Sequence, residues 1–182
     1  MENIKIIQDN NIQNKQNKKQ NMIFAILMTI LIILVIVLFT FVFVCAPVKI
    51  KGDSMNPSLS DGDIIMISKV HKQPVLGDIV VYQKPNEKNM TVIKRVVAVE
   101  GDVLYFWTKP SGLSVLTKKD DPTKQEYSLS PTQYHFLTTT YGNSVTIQKG
   151  EIFTIGDNFS NSIDGRNYGT IPISAIIGIK LN

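Results

Sequence analysis

The sequence contains few of the residues that build disulfides or metal sites. Cys45 is its only cysteine, so the chain can form neither an intramolecular disulfide nor a cluster of thiolate ligands. The two histidines, His71 and His135, lack the spacing and the acidic neighbours of a metal site. The formal charge of +4 is spread along the chain, without the dense basic stripe of a nucleic-acid-binding protein. We therefore expect no metal, no other cofactor and no nucleic acid partner.

Charged residues are also missing from residues 22–48, where nearly every side chain is apolar. A helix of about 20 such residues crosses the ~30 Å hydrocarbon core of a bilayer. A cleaved signal peptide is the competing interpretation, but its apolar region usually has only about 7 to 15 residues. Pro47, directly after Ala46, also makes a poor cleavage site. We interpret residues 22–46 as a retained transmembrane helix.

The flanks of this run indicate an orientation. Residues 1–21 hold four lysines against two acidic residues, which favours a cytoplasmic amino end. This tail is polar and lacks aromatic residues, so we expect it to be disordered. The sequence therefore predicts a single-pass protein of the cell membrane, in contact with the phospholipid bilayer. Residues 1–21 would be cytoplasmic and residues 47–182 extracytoplasmic.

The exported part is predicted to be mainly β. Short runs rich in Val, Ile, Thr and Tyr are bounded by Gly, Asp, Asn or Pro, as in "DIIMISKV", "GDIVVYQK", "NMTVIKRVVAVEGD", "SVTIQKGEIFTIGD" and "ISAIIGIKL". No stretch after residue 47 keeps a helical period over about 12 residues. Residues 109–133 are polar and interrupted by proline, which indicates a small inserted subdomain at about 103–148. We expect an antiparallel β-sheet catalytic domain after one transmembrane helix.

The turn "GDSMNPSLSDGD", residues 52–63, presents a candidate nucleophile, Ser54. A serine needs a base to remove its proton, and neither histidine has a local signature of that role. Lys94 lies in the apolar strand "TVIKRVVAVEGD". Burial lowers the pKa of a lysine, and a neutral amine can act as a general base. Both residues also have a non-catalytic interpretation. For Lys94 it is an edge-strand charge that prevents aggregation, and for Ser54 it is an ordinary turn.

Four blocks in order resemble the motifs of the type I signal peptidases, which are membrane-anchored serine proteases. They are "GDSMNPSL", "GDIVVYQ", "VIKRVVAVEGD" and "GDNFSNSIDGRNYGTIP". The resemblance covers most of residues 47–102 and 150–178, and the glycine at position 52 is typical of the short forms from Gram-positive bacteria. It implies removal of signal peptides from exported preproteins that emerge from the secretion channel.

The resemblance also implies roles for single residues. Ser54 corresponds to the nucleophile, Lys94 to the general base and Met55 to the methionine packed beside them. Ser162 corresponds to the serine that orients the lysine amine. Asp164 and Arg166 correspond to a structural ion pair, and Asp157 is expected to pair with Arg95 in the same way.

The resemblance further implies cleavage after small residues, as in an Ala-x-Ala site. We expect the substrate to bind as an added β-strand against an apolar lining. The predicted lining residues are Ile50, Met55, Leu59 and Ile93. The backbone amide of Ser54 is one expected oxyanion donor. Gly52 stands where some members carry a serine as the second donor.

Two positions of the last block depart from the family pattern. Phe159 replaces a frequent arginine, and Gly165 replaces a frequent serine. Other protein classes fit less well. A sortase needs a cysteine nucleophile outside the anchor, self-cleaving repressor-type proteins are soluble, and the histidine-using signal peptidases carry histidine in place of Lys94. A non-catalytic, membrane-tethered β module that binds exported chains is the alternative to an enzyme.

Overall fold

The computed structural model describes residues 2–70, 73–85, 87, 90–108, 110–116 and 125–181, with side chains described from residue 14 onward except that of Leu116. The chain forms two compact units, one ending at Phe43 and the other beginning at Val44. His71 lies outside the described residues, and His135 is exposed on a helix.

The first unit is helix α1, Glu2–Val44. Its part from Asn14 to Val44 is long and apolar enough to cross a membrane, judged by length and composition. The expectation of a disordered tail is wrong, because the helix extends back to Glu2. No glycine or proline occurs before Pro47, so nothing in the sequence stops the helix from extending out of the apolar segment. The helix ends two residues earlier than predicted.

Within its described residues, the second unit contains eleven strands and two short α-helices. In chain order these are β1 (Cys45–Lys49), β2 (Ile64–Ser68), β3 (Ile79–Gln83), β4 (Thr91–Ala98), β5 (Val103–Thr108), β6 (Ser111–Leu116), β7 (Gln125–Ser128), α2 (Pro131–Tyr141), β8 (Ser144–Thr146), β9 (Glu151–Ile155), α3 (Gly165–Tyr168), β10 (Ile171–Pro172) and β11 (Ile176–Lys180). All strand pairs are antiparallel, so the prediction of a mainly β protein with antiparallel sheets after an apolar helix is confirmed.

The larger sheet has seven strands in the order β1-β2-β11-β3-β4-β9-β10. Strand β4 is paired unequally on its two edges. Strand β3 pairs with β4 from Thr91 to Arg95, whereas β9 pairs with it only from Arg95 onward. Among the described strands, none pairs with the second edge of residues 91–94. Half of β4 therefore presents an open backbone edge.

Alternation along β3 gives this sheet two buried faces. Ile79 and Val81 join one apolar cluster, which also contains Ile50, Met55, Leu59, Ile65 and Ile67. Val80 and Tyr82 join a second cluster on the opposite face, with Val96, Ile152, Ile171, Ile176 and Ile179. Side chains of adjacent strand residues point to opposite faces, which explains the division. The nucleophile turn packs on the first cluster through Met55, which is 1% exposed.

A four-stranded sheet in the order β7-β6-β5-β8 occupies the predicted insertion. Its buried residues share a core with β9 and with Leu137 of α2. We did not predict α2. Its start is encoded by a capping box, in which the Ser130 side chain accepts from the Gln133 backbone and the Gln133 side chain accepts from the Ser130 backbone. Helix α2 has 11 residues and one buried residue, Leu137, which is too weak a pattern for periodicity to reveal.

Candidate active site

Ser54 lies in a turn that hydrogen bonds hold from both sides. The Ile50 N–H donates to the Asp63 carbonyl at 2.8 Å, and the Gly62 N–H donates to the Ile50 carbonyl at 3.1 Å. The Gly52 N–H donates to Asp61 Oδ1 at 2.7 Å. Gly52 has φ of 80°, a region that glycine enters without a steric penalty. The turn therefore fixes the backbone that carries the candidate nucleophile.

Lys94 reaches this turn from β4. Its Nζ donates to Ser54 Oγ at 2.8 Å and to the Ile93 carbonyl at 2.8 Å. The residue is only 3% exposed. Burial lowers the pKa of Lys94 to about 8, against partial compensation by Asp164 and Asp157, while Lys84 lowers it further. The arrangement places a poorly solvated amine within hydrogen-bond distance of a serine hydroxyl.

Asn158 connects the last sequence block to the nucleophile turn. Its side chain donates to the Asp53 carbonyl at 3.0 Å, and its backbone N–H donates to the Ser54 carbonyl at 3.0 Å. Sequence reasoning did not single out Asn158. Its position in a "GDN" turn was the available signal, but only the fold shows which backbone it contacts.

Ser162 is brought to the same groove but does not bond to Lys94 in this structure. Its Oγ is buried and, within the described part of the chain, has no hydrogen-bond partner. The neighbouring Gly156 explains how this loop fits. A Cβ added at Gly156 would lie 2.2 Å from Ser162 Oγ and 2.5 Å from the Ser54 carbonyl oxygen. Only glycine allows the two segments to approach this closely.

Two ion pairs hold the loop that follows β9. Asp164 and Arg166 are almost fully buried, and Arg166 Nε and Nη2 donate to the two carboxylate oxygens at 2.9 Å each. Asp164 also accepts from the Gly156 N–H at 3.0 Å. Arg95 donates through Nε and Nη2 to Asp157 at 2.8 and 2.6 Å. Both pairs have the partners that the sequence predicts.

The ion pair with Arg95 also changes the pKa of the Asp157 carboxyl group. Burial alone would raise the pKa of Asp157, but the hydrogen bonds from Arg95 and Ser58 hold that pKa below its ordinary value. Asp157 is therefore ionised at neutral pH and remains paired with the Arg95 guanidinium.

A groove of about 930 Å³ contains the reacting pair. Residues 48–55 line one wall and residues 90–94 line the other, and the second wall includes the open edge of β4. Ile50, Met55 and Ile93 line the groove as predicted. Leu59, the fourth residue predicted to line the groove, is not among the lining residues and lies in the same buried apolar cluster as Ile50 and Met55.

The two departures from the family pattern have local explanations. A Cβ at position 165 would lie 2.7 Å from the Thr154 carbonyl oxygen and 3.0 Å from the Phe153 ring, so Gly165 fits where a larger residue would not. The Phe159 ring makes an edge-to-face contact with Tyr127 of β7, with centroids 5.5 Å apart. Its carbonyl accepts from Arg166 Nη2 at 3.0 Å.

The part of the site that the structure describes contains no set of metal ligands. Among the described residues, no three His, Cys, Asp or Glu side chains are grouped closely enough to hold a metal ion. At the reacting pair itself, the groove offers a serine hydroxyl, a buried amine and backbone amides.

Several known proteins are similar to this chain. The family model described as signal peptidase, peptidase S26, matches residues 23–181. A probable signal peptidase I-1 of Synechocystis sp. is 32% identical over 76% of this chain and 70% of its own length. Signal peptidase IB of Staphylococcus aureus is 34% identical over 75% of each chain. A crystal structure of a signal peptidase I from Enterococcus faecalis aligns over 60% of this chain and 97% of that chain, with 20% identity and a TM-score of 0.40.

Proposed function

The chain belongs to the type I signal peptidases, a family of serine peptidases, and from this premise we propose that it removes amino-terminal signal peptides from exported preproteins with a Ser54–Lys94 dyad. The observation that carries the proposal is the 2.8 Å hydrogen bond between the buried Lys94 amine and Ser54 Oγ, inside a groove large enough for an extended peptide.

Acylation begins with the neutral Lys94 amine, which takes the proton of Ser54 as Oγ attacks the scissile carbonyl. The carbonyl oxygen becomes an oxyanion. Among the hydrogen bonds of the described residues, none uses the Ser54 N–H, so this donor is available to the oxyanion. The Gly52 N–H already donates to Asp61 and would have to leave that partner to become a second donor.

The intermediate then breaks the carbon–nitrogen bond. The Lys94 ammonium gives its proton to the leaving amine, and the signal peptide remains as an ester on Ser54. Lys94, neutral again, takes a proton from a water molecule, whose oxygen attacks the ester carbonyl. Breaking the ester releases the signal peptide acid, and the proton returns to Ser54 through Lys94. Each proton that the dyad accepts is thus given back within one cycle.

Substrate binding follows from the half-paired strand. An extended peptide can add to the open edge of Thr91–Lys94, where backbone groups have no strand partner among the described residues. Ile50, Met55 and Ile93 lie beside this edge and fill the space near the dyad. Small side chains, as in Ala-x-Ala, fit against such a lining where larger ones would collide.

We place the protein in the cell membrane through one spanning segment of α1, with the amino end cytoplasmic and the β-rich unit extracytoplasmic. The support is the uncharged run and the four lysines that precede it. Preproteins emerging from the secretion channel are the proposed substrates, and the lipid bilayer is the proposed surroundings of the helix.

The test uses the full-length chain in detergent with a preprotein that carries an Ala-x-Ala site. Wild type should release the mature protein, and Ser54→Ala and Lys94→Ala should each abolish the release. The double variant should be no worse than either single variant, because the two residues act as a unit. Lys94→Met removes the amine but keeps an unbranched side chain only one atom shorter, so it controls for a packing defect in Lys94→Ala.

Matched controls are Ser60→Ala and Lys149→Ala, since both residues are exposed and neither lines the groove. Both should cleave like wild type. Near wild-type cleavage by folded Lys94→Met would show that another base is used. Binding of the preprotein without cleavage by wild type would support the non-catalytic module instead.

A further inference from the structure

The groove is lined by charged side chains that have no role in the proposed reaction. Besides Lys94, three lysines line it: Lys49, Lys51 and Lys84. Asp53 is the only acidic lining residue among the described residues, and it lies next to Ser54, where its carboxylate accepts from Asn56 Nδ2 at 3.2 Å. The cationic side chains are therefore not balanced within the groove, and none of the three is needed for the proton transfers of the dyad.

Two of these lysines lie on the wall formed by the chain before Ser54. Lys49 and Lys51 alternate with Val48 and Ile50, whose side chains pack toward the apolar cluster, and both lysines are exposed. Within the described residues, neither lysine has a carboxylate at salt-bridge distance or another side-chain hydrogen bond. Both ammonium groups are therefore available to a peptide in the groove.

Lys84 lines the groove level with Met90, the residue before β4. Its N–H donates to the Met90 carbonyl at 2.8 Å and continues the β3–β4 pairing, so the Lys84 backbone lies on the paired edge of β4. From Lys94 to Met90 is four residues of extended chain, about 13 Å at ~3.3 Å per residue. In a peptide strand that runs parallel to β4 along the open edge, about four residues cover the same distance. The next residue toward its amino end is then level with Met90 and Lys84.

The Lys84 ammonium pairs with Glu87, whose side chain is 49% exposed, while the Lys84 side chain is 13% exposed. The shielded position of Lys84 makes its charge less screened by water than that of a surface lysine. The groove thus combines one shielded cation, which is paired with Glu87, with two exposed cations that have no carboxylate partner among the described residues.

We propose that Lys49, Lys51 and Lys84 make the groove selective for acidic over basic side chains about five residues before the cut. This inference rests on the proposed function, because it assumes that the part of the substrate before the cut occupies this groove. An acidic side chain there would gain attraction from the three ammonium groups. A basic side chain would be repelled, and a neutral side chain would fall between them.

The test compares three peptides with one Ala-x-Ala site that differ only in Asp, Asn or Lys five residues before the cut. The full-length protein is kept in a nonionic detergent, so that the micelle adds no charge. We expect kcat/KM to follow the order Asp, Asn, Lys, with about tenfold between the extremes at low salt. At ~1 M salt, where the screening length is ~3 Å, the ratio should approach one.

Charge reversal identifies the residues responsible. The Lys49→Glu/Lys51→Glu variant should invert the order of the Asp and Lys peptides, and Lys84→Met should shrink the ratio. Lys149→Glu, an exposed lysine outside the groove, should leave it unchanged. Because each ratio compares peptides on one enzyme, a loss of folded protein cancels. An Asp-to-Lys ratio near one in wild type, or one that the reversal leaves intact, would overturn the proposal.

A binding measurement separates this inference from the proposed function. Fluorescently labelled peptides are titrated with the Ser54→Ala protein, and the order of their dissociation constants is read without catalysis. Charge-ordered binding together with no cleavage by wild type would keep the inference and refute the proposed function. Cleavage of all three peptides at equal rates, with equal binding, would refute the inference and keep the proposed function.

Discussion

Lys94 determines how cleavage should depend on pH. The amine acts as a base only when it is neutral, and burial brings its pKa down to about 8 from an ordinary value of 10.5. As the pH falls through about 8 the amine becomes protonated, so kcat/KM should fall on the acid side with a midpoint near 8. A peptide substrate followed from pH 6 to 10 provides the profile. A midpoint close to 10.5 would mean that Lys94 is not desolvated in the working enzyme.

Cleavage should be sensitive to substitution of Gly156, although this residue has no side chain. In Gly156→Ala the new Cβ would meet both Ser162 Oγ and the Ser54 carbonyl oxygen, so the nucleophile turn has to move. A displacement of about 1 Å can cost on the order of 10²-fold in rate. We expect that loss in kcat per folded molecule.

Gly178→Ala is the control for this prediction. Its Cβ would lie 2.7 Å from Ile67 Cδ1 and from the Ser68 carbonyl oxygen, away from the groove. It should lower the unfolding temperature but keep kcat per folded molecule. Equal kcat in Gly156→Ala and wild type would show that the contact of this loop with Ser54 does not position the nucleophile.

Single residues of the site were predictable where their chemistry conflicts with their surroundings. A lysine in an apolar strand stands out in the sequence, and so does a serine between turn formers. Asn158 and Gly156 were missed because their importance lies in which distant backbone they contact. Leu59 was assigned to the groove on polarity alone, and the turn buries it instead. Ser162 lies in the groove without the expected bond to Lys94.

The two ion pairs near the groove should differ strongly in their contribution to stability. Arg166→Ala leaves the Asp164 carboxylate buried without its cation, which typically costs about 3–5 kcal/mol. Arg95→Ala removes a partly exposed pair, for which about 1 kcal/mol is expected. Thermal unfolding followed by the fluorescence of Trp107, the only tryptophan, measures both variants. Similar losses in the two variants would contradict the difference in burial as the cause.

Whole elements were predictable where a local pattern exists. The runs assigned to β2, β3, β4, β9 and β11 have the expected apolar and β-branched residues and turn boundaries. Strand β1 was included partly in the membrane helix, because its residues continue the apolar run. Its strand conformation comes from pairing with β2, about 20 residues further along the chain. Such non-local pairing has no signature within the run itself.

At the scale of the whole molecule, the orientation in the membrane is open to a direct test. Four lysines before an uncharged run favour a cytoplasmic amino end. Protease added to intact bacterial protoplasts should digest the chain beyond residue 50 and spare an amino-terminal tag. Permeabilised protoplasts, the control, should lose both parts. Digestion of the tag alone in intact protoplasts would reverse the proposed topology.

The two halves of strand β4 should differ in how well their backbone amides are protected from exchange with solvent deuterium. Residues 95–98 have a partner in β9, whereas the open edge of residues 91–94 exposes alternate amides. Amide exchange read by residue should therefore be fast at those alternate positions in the empty protein. A tight-binding peptide on the Ser54→Ala variant should slow amide exchange at these positions and leave the exchange of residues 95–98 unchanged. Unchanged exchange at 91–94 with the peptide bound would mean that the substrate does not extend the sheet.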